Sequence, residues 1–562
     1  MLTRLSHTPR MSLRDQLLER MARPQRHRLL QGFPAVPAMS QAVPVRSDSD
    51  LEDGLGRLIR SFDGAAVDVG FDEAVKQLEE GKPRPLQSSD ADPPQRRARI
   101  EALNAQTDAR WVEDEPWLRA IVDSGGRAEA PWLNVDRSRD LIIGVIPHTQ
   151  CVPRREACGF CTFPHDSPNK QERLRMVDAV ARDIGAVGVH EALRGRRVHA
   201  AYLGGGTANL SSPEELERLL SALRSRFVLE DAELTLEGTP ALFESWFSSH
   251  LKSLAKQSVA HRRISMGVQT FDARFLTLMG REKFGDAALV KKLVRKCRDL
   301  DITTSADLLF NLPGQTLEQM QKDVDTALSA GLDQICLYHL VLYDGLGTPW
   351  SKDASLVSAM PDNRRAAEHW LVLREKLLRA GYEQSTLTNF ERSDVRAGPK
   401  RFRYEAASFA PDRTDAIGFG PLSLTTFVDW PRKRGLKLLR RKSLGPAPWS
   451  GEDLAYRYDE AGLRLFFLTR SLATTRVELA RYQSTFGSSL REDFSPALEA
   501  ARGEGLVTID DSALSLTPLG MFYADTVVST LANGRSQSGG AGVHTADLLK
   551  EAPQADQYRG MG

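Results

Sequence analysis

"IPHTQCVPRREACGFCTFPH", residues 146–165, holds Cys151, Cys158 and Cys161, three of the five cysteines in a chain of 562 residues. The other two, Cys297 and Cys336, stand far from it. A CxxC pair alone is a weak signal. Three thiols within eleven residues, just after the apolar run "LIIGVI", point to a metal. Zinc asks for four protein ligands in a structural site, or three and a water in a catalytic one, and no second CxxC accompanies this one. An iron–sulfur cluster is commonly held by four thiolates, so three would leave one iron open to an outside ligand. Spacing alone leaves both open.

Outward from that loop the pattern alternates. "LIIGVI" reads as a buried strand, and "QERLRMVDAVARDIGAVGVHEAL" after the loop as a helix. The strands "VHAAYLG", "AELTLEG", "RISMGVQ", "TTSADLLFNLP" and "QICLYHLV" follow, each with a helical pattern between it and the next. Such alternation means parallel strands with crossover helices. The expected class is α/β: a partial (β/α) barrel with a C-terminal winged-helix-like domain and a largely irregular N-terminal extension. In a barrel the chemistry gathers beyond the C-terminal ends of strands. Cys151, Gly204, Gly205, Gly206, Thr207, Glu237, Gln269 and Asp307 fall at or near such ends.

The ends of the chain are less regular. Residues 1–50 read as a flexible basic N-terminus, with Leu13, Leu17, Leu18 and Met21 on one helical face; a presequence is the competing reading. The remaining boundaries are an extension at 51–135, a core at 136–365, a core extension at 366–454, a winged-helix-like domain at 455–532 and a disordered tail at 533–562. A net charge of +1 gives no general pull toward nucleic acid or anionic membrane. No apolar run approaches the roughly 18 residues a membrane span needs. Few cysteines, odd in number, argue for a reducing compartment, so a cytoplasmic location is expected.

Five segments carry a resemblance, in order from about residue 140 to 350. They are "YLGGGTANLSSPEELERLL", "LTLEGTP", "RISMGVQTFDARFLTLMGR", "ADLLFNLPGQTLEQMQKDV" and "LYHLVLYDGLGTPW". With the cysteine loop, they resemble the radical S-adenosylmethionine (SAM) enzymes, in the branch around oxygen-independent coproporphyrinogen III oxidase. The resemblance implies a [4Fe–4S] cluster on Cys151, Cys158 and Cys161, and SAM bound by Gly204, Gly205, Gly206, Thr207, Glu237, Gln269, Arg281 and Asp307. Glu237 and Arg281 would grip the zwitterionic methionine end, with Gln269 and Asp307 on ribose hydroxyls. His339 and Tyr343 would face the substrate. Reductive cleavage of SAM would give methionine and a 5′-deoxyadenosyl radical. An electron donor such as flavodoxin or ferredoxin is implied, with a small-molecule substrate and neither nucleic acid nor membrane as partner.

The chain departs from the branch in several places. Its cysteine spacing is C-x6-C-x2-C, where the branch has C-x3-C-x2-C, because "VPRREA" separates Cys151 from Cys158. Phe163 stands where coproporphyrinogen oxidases carry a further cysteine. "PKRFRYEAASF" (399–409) has Arg401 and Phe402 where the haem-chaperone relatives show His and Asn. These losses, with the later "DAIGFGPLSL" (415–424), favour radical methylation of an sp² carbon using two SAM molecules. Oxidative decarboxylation of a coproporphyrinogen, haem chaperoning and haem degradation are the alternatives.

Residues 455–530 read as helices followed by a hairpin, with Asp510 and Asp511 at its turn, which suggests a DNA-binding winged helix. Residues 471–530 hold four Arg, no Lys and eight acidic residues. A DNA reader is basic. The expectation is a domain that closes over substrate.

Overall fold

The computed structural model describes residues 17, 18, 21 and 139–536, apart from 153–157, 162, 164, 188–192, 194–195, 245–248, 343–347, 441–443, 445–453 and 459. Leu13, Tyr343, the 51–135 extension and the tail beyond 536 therefore lie outside the described residues.

Strands β1 (Asp140–Val145), β2 (Val198–Leu203), β3 (Glu233–Gly238), β4 (His261–Gln269), β5 (Ile302–Phe310) and β6 (Gln334–His339) lie side by side in chain order, all parallel. Among the crossover helices are α1 (Lys170–Val187), α2 (Pro213–Arg224), α3 (Ala287–Asp299) and α4 (Leu317–Ala330). Their ends are set locally. Ser212 and Glu215 form a capping box on α2, with Pro213 at its first position. Thr316 and Gln319 do the same for α4, which Gly331 ends in the left-handed region at φ 75°. The sheet does not close: in its twelve-strand order the outermost strands are unpaired with each other. It is the partial barrel that the alternation implies.

The segment after α5 (Asn363–Arg379) extends this sheet on both sides. β7 (Tyr382–Gln384) and β8 (Asn389–Arg392) add antiparallel strands beyond β6. β9 (Thr414–Phe419) pairs parallel with β1, and β10 (Leu424–Asp429), β11 (Arg434–Leu439) and β12 (Leu454–Tyr458) continue outward antiparallel. Asp415 on β9 is buried between Arg139 (3.0 Å) and Arg196 (2.9 Å), which flank β1 and β2. Such a paired, desolvated carboxylate fixes register. A strand that pairs some 270 residues from its own position leaves no local pattern, so 366–454 read only as an extension.

The two faces of the sheet differ in chemistry. Leu141, Ile143, Leu234, Leu236, Ile264, Met266 and Leu308 pack in the main apolar core with the helices. Their alternates, among them Thr235, Glu237, Arg263, Ser265, Ser305, Asp307, Gln334, Cys336 and Tyr338, are mostly polar. Helix α6 (Tyr404–Ser408) covers part of this inner face: Phe402, Tyr404 and Ala407 pack with Ile142 and Ala200, against Tyr202 and Ala416.

At the C-terminal end, α7 (Leu479–Phe486) and α8 (Leu490–Gly503) precede the hairpin of β14 (Val507–Ile509) and β15 (Ala513–Leu516), with β13 (Arg476–Glu478) pairing β15. The winged-helix-like arrangement is present. Its apolar residues belong to the same continuous core as the barrel helices. At the other end, three residues of 1–50 are described: Leu17, Leu18 and Met21. Leu17 is wholly buried, Met21 packs on the core, and Asn363 Nδ2 donates to Met21 O (2.9 Å). The apolar helical face that carries Leu17 explains this: it has a partner to bury against.

Candidate active site at the strand ends

The cysteine loop and the glycine turn form one unit. Asp166 N–H bonds Thr149 O (3.0 Å) and Cys151 N–H bonds Asp166 O (3.0 Å), so the loop's start and end are tied together. Thr207 N–H donates to Gln150 O (2.9 Å). Thr207 Oγ1 lies 3.2 Å from Cys151 Sγ and accepts from Val152 N–H (3.1 Å). Gly206 makes this approach possible. Its φ is 42°, and a Cβ there would sit 2.6 Å from Gln150 O. Thr207 thus supports the cysteine loop through its hydroxyl, in addition to any contact with SAM.

The other expected residues converge on this unit. The Arg281 guanidinium interacts electrostatically with both Cys151 and Cys158. Arg281 is buried, and its Nη2 donates to Gly267 O (2.5 Å). Gln269, at the end of β4, has φ 73°, a strained value for a non-glycine residue. Gly267 lies close to both side chains: a Cβ there would be 3.1 Å from Gln269 Nε2 and 3.6 Å from Arg281 Nη2. Glu237 stands beside Gly204, accepts from the Tyr202 hydroxyl (3.1 Å) and acts on Cys151. Burial pushes its carboxyl up to about 7, and repulsion from Asp307 adds to the rise. Burial also holds Asp307 up at about 6, against the opposing pull of the Cys336 thiol and Arg263.

His339 lies on the other face of its strand. Its ring stacks on Phe310 at 5.2 Å and meets Phe522 of the C-terminal domain at 5.1 Å. Strand parity is the reason. Asp307 pairs with Cys336, so Cys336 and Tyr338 share Asp307's face while His339 takes the other. Tyr338 is electrostatically coupled to Asp307, Cys336, Tyr202 and Glu405. The same two-residue alternation, counted back along β4 from Gly267, would have found Arg263.

Arg263 and Glu405 are the site's other unexpected members. Arg263 lies 3.8 Å over the Phe402 ring and bonds Gln334. Phe402 N–H donates to Glu391 Oε1 (2.5 Å), and Arg403 N–H to Glu233 Oε2 (2.6 Å). The Tyr404 ring lies 5.1 Å from Tyr202. Glu405 accepts from the Thr386 hydroxyl (3.1 Å), and burial pushes its carboxyl up to about 8. The stretch where a haem-ligating His was sought instead buries Phe402 and leaves Arg401 exposed.

Among the described residues no three His, Cys, Asp or Glu side chains gather tightly enough to hold a single ion. A four-iron cluster asks for something else, since each thiolate binds a different iron. Three of the five cysteines share this loop beside the Arg281 cation, a donor set that fits the cluster. The adjoining carboxylate, guanidinium and close backbone at Gly204–Gly206 suit a zwitterionic amino acid end.

Residues 146–327 match the Radical SAM superfamily, and residues 473–523 match the HemN C-terminal domain. The anaerobilin synthase of Escherichia coli O157:H7 is 31% identical over 186 residues, 33% of this chain and 40% of that protein. The haem chaperone HemW of Lactococcus lactis is 30% identical over 34% of this chain and 50% of that protein. The match therefore spans half or less of these two relatives. HemW of Mycobacterium tuberculosis H37Rv is 24% identical over 69% of this chain and 94% of its own length. In fold, the chain is similar to coproporphyrinogen III oxidase (HemN) from Escherichia coli, with a TM-score of 0.56 and 18% identity over 74% of this chain and 93% of that one. None of these likenesses supports the expected methylation of an sp² carbon. Over these two regions the chain is similar to the HemN/HemW-like radical SAM proteins, a likeness that supports a [4Fe–4S] cluster and SAM as cofactors.

Proposed function

We propose that the chain is a radical SAM enzyme whose substrate is a tetrapyrrole, either a haem or a porphyrinogen. When bound, the cluster supplies the electron that cleaves SAM to a hydrogen-abstracting 5′-deoxyadenosyl radical. The observation that carries the reading is the convergence of Cys151, Cys158, Arg281 and Glu237 at the strand ends. In this proposal Arg281 binds the methionine carboxylate and Glu237 its ammonium group, with Tyr202 orienting Glu237. Asp307 and Gln269 hold the ribose. Thr207 steadies Cys151. The tetrapyrrole class rests on two relatives, the haem chaperone HemW and coproporphyrinogen III oxidase, whose names carry haem and a porphyrinogen. Burial of Phe402 under Arg263 favours an enzyme over a chaperone that ligates haem through that stretch.

Radical SAM enzymes need a reductant; the proposal takes a flavodoxin- or ferredoxin-type donor and a cytoplasmic setting. Among the described residues no helix is long and apolar enough to cross a membrane. The test is anaerobic incubation of the reconstituted protein with SAM and reductant, with haem, with coproporphyrinogen III, and with neither. Tetrapyrrole-dependent 5′-deoxyadenosine and a tetrapyrrole of altered mass, read by mass spectrometry, are expected. Equal 5′-deoxyadenosine in all three, with both tetrapyrroles unchanged, would exclude it.

A further inference from the structure

Gly159 sits between Cys158 and Phe160 with φ 73°, and the space its missing side chain would fill is taken. A Cβ there would lie 1.9 Å from Nε1 and 2.0 Å from Cδ1 of Trp350. The indole thus rests directly on the backbone of the CxxC arch. The Trp350 backbone N–H donates to Gly159 O (3.0 Å), and the Phe160 ring meets the indole edge-on at 5.6 Å. Trp350 is 5% exposed and Cys158 6%. Three contacts from one residue therefore hold the middle of the arch, nearly two hundred residues away in sequence.

The indole is also the meeting point of a second apolar cluster, separate from the main core. Trp350 packs there with Phe275, Met279, Leu309, Leu312, Leu340 and Leu342. Phe275 and Met279 lead directly into Arg281, whose N–H bonds Leu276 O (2.8 Å). Leu309 follows Asp307 on β5, and Tyr338 packs against the same cluster. One block of side chains thus joins the arch, the guanidinium beside it and the strand that carries Asp307.

We propose that Trp350 is a positioning residue that sets the Cys158–Cys161 arch, and hence the cluster, relative to Arg281 and Asp307. The inference rests on assigning the cluster to Cys151, Cys158 and Cys161, and not on the tetrapyrrole reading. Gly159 and Trp350 are complementary in size: the indole occupies the one place where an L side chain would enter the arch. Close packing makes such a contact directional, since a rigid bicyclic ring leaves the loop few alternative positions.

The experiment compares Trp350→Ala, Trp350→Phe, Gly159→Ala and Leu340→Ala as full-length reconstituted proteins. Leu340 lies in the same apolar cluster, so its variant reports general loss of packing. Iron per chain, melting temperature of the apo proteins, and the electron paramagnetic resonance spectrum of the reduced cluster with and without SAM are read together. Trp350→Ala is expected to alter the spectrum and to raise the SAM concentration giving half its SAM-induced change by about tenfold, short of the roughly hundredfold that a 1 Å misplacement can cost a reaction rate. Trp350→Phe should restore most of this. Gly159→Ala, which pushes the indole away, should reproduce the Trp350→Ala spectrum. Leu340→Ala should lower the melting temperature and leave the spectrum unchanged. A wild-type-like spectrum and SAM response in Trp350→Ala, or the same spectral change in Leu340→Ala, would overturn the proposal. If Cys158→Ala kept a wild-type cluster, the cluster assignment itself would fail, which is a separate result.

Discussion

Cys297 lies on the buried face of α3, and Cys336 donates to Asn389 beside Asp307. Neither belongs to the loop that holds the other three thiols. Replacing Cys151, Cys158 or Cys161 by Ala is expected to abolish the roughly four irons per chain of a [4Fe–4S] site, and Cys297→Ala to leave them in place. Iron and sulfide analysis after anaerobic reconstitution checks both. Arg281→Ala and Asp307→Ala should keep the cluster and weaken SAM binding by on the order of 2–4 kcal/mol, since each removes a partner in a closed site. Titration calorimetry on the reconstituted proteins decides; unchanged affinity in both would remove them from the SAM site. Glu405 offers a pH signature. Its carboxyl holds its proton up to about 8 in the fold and releases it near 4.5 when unfolded. Between those values the folded state binds more protons, so stability falls as pH rises through that window. Glu405→Gln removes this ionisation. Its melting temperature should match wild type below about pH 4.5 and exceed it above about pH 8, and parallel curves would refute the assignment. The cysteines and Glu237 were legible as residues because their spacing and strand-end positions are local. Arg263, Tyr338 and Glu405 were not, because their roles come from which face they share.

At the scale of elements, the six strand–helix units were readable because period-two and period-3.6 patterns lie within each segment. The 399–409 stretch, read in sequence as lacking the His and Asn of the haem-chaperone relatives, turns out to close part of the inner face. Its polar appearance in sequence conceals Phe402 and Tyr404, which turn inward, while Glu391 and Glu233 accept its backbone N–H groups. Tyr404→Ala should cost about 3–5 kcal/mol of unfolding free energy, as large aromatic deletions from close-packed cores do. Denaturant titration with an unchanged m-value checks this; a loss below about 1 kcal/mol would mean that the segment does not close the inner face. The glycine turn makes a sharper demand. Gly206→Ala meets Gln150 O at 2.6 Å and strains a positive φ, so it should displace the start of the cysteine loop and lower iron uptake.

For the whole molecule, the C-terminal domain is the clearest case of tertiary structure correcting a modular view. Its helices and wing were legible in sequence, and its acidic balance argues against DNA. Yet it shares one apolar core with the barrel, Phe522 meets His339, and Arg481 pairs with Asp412. A chain ended before Glu460 should therefore expose that core, bind a hydrophobic dye and lose its cooperative melting transition; a sharp transition without dye binding would show that the barrel stands alone. The sequence by itself determined the parallel alternation, the cysteine loop and the ordered set of motifs that carry the family resemblance, because each is written within a few neighbouring residues. Only the tertiary structure decided that β9 lies beside β1, that Trp350 rests on Gly159, and that His339 turns away from Asp307. Those depend on contacts between residues tens to hundreds of positions apart. Such contacts form through burial and close packing, which act on three-dimensional neighbours and leave no local period in the chain.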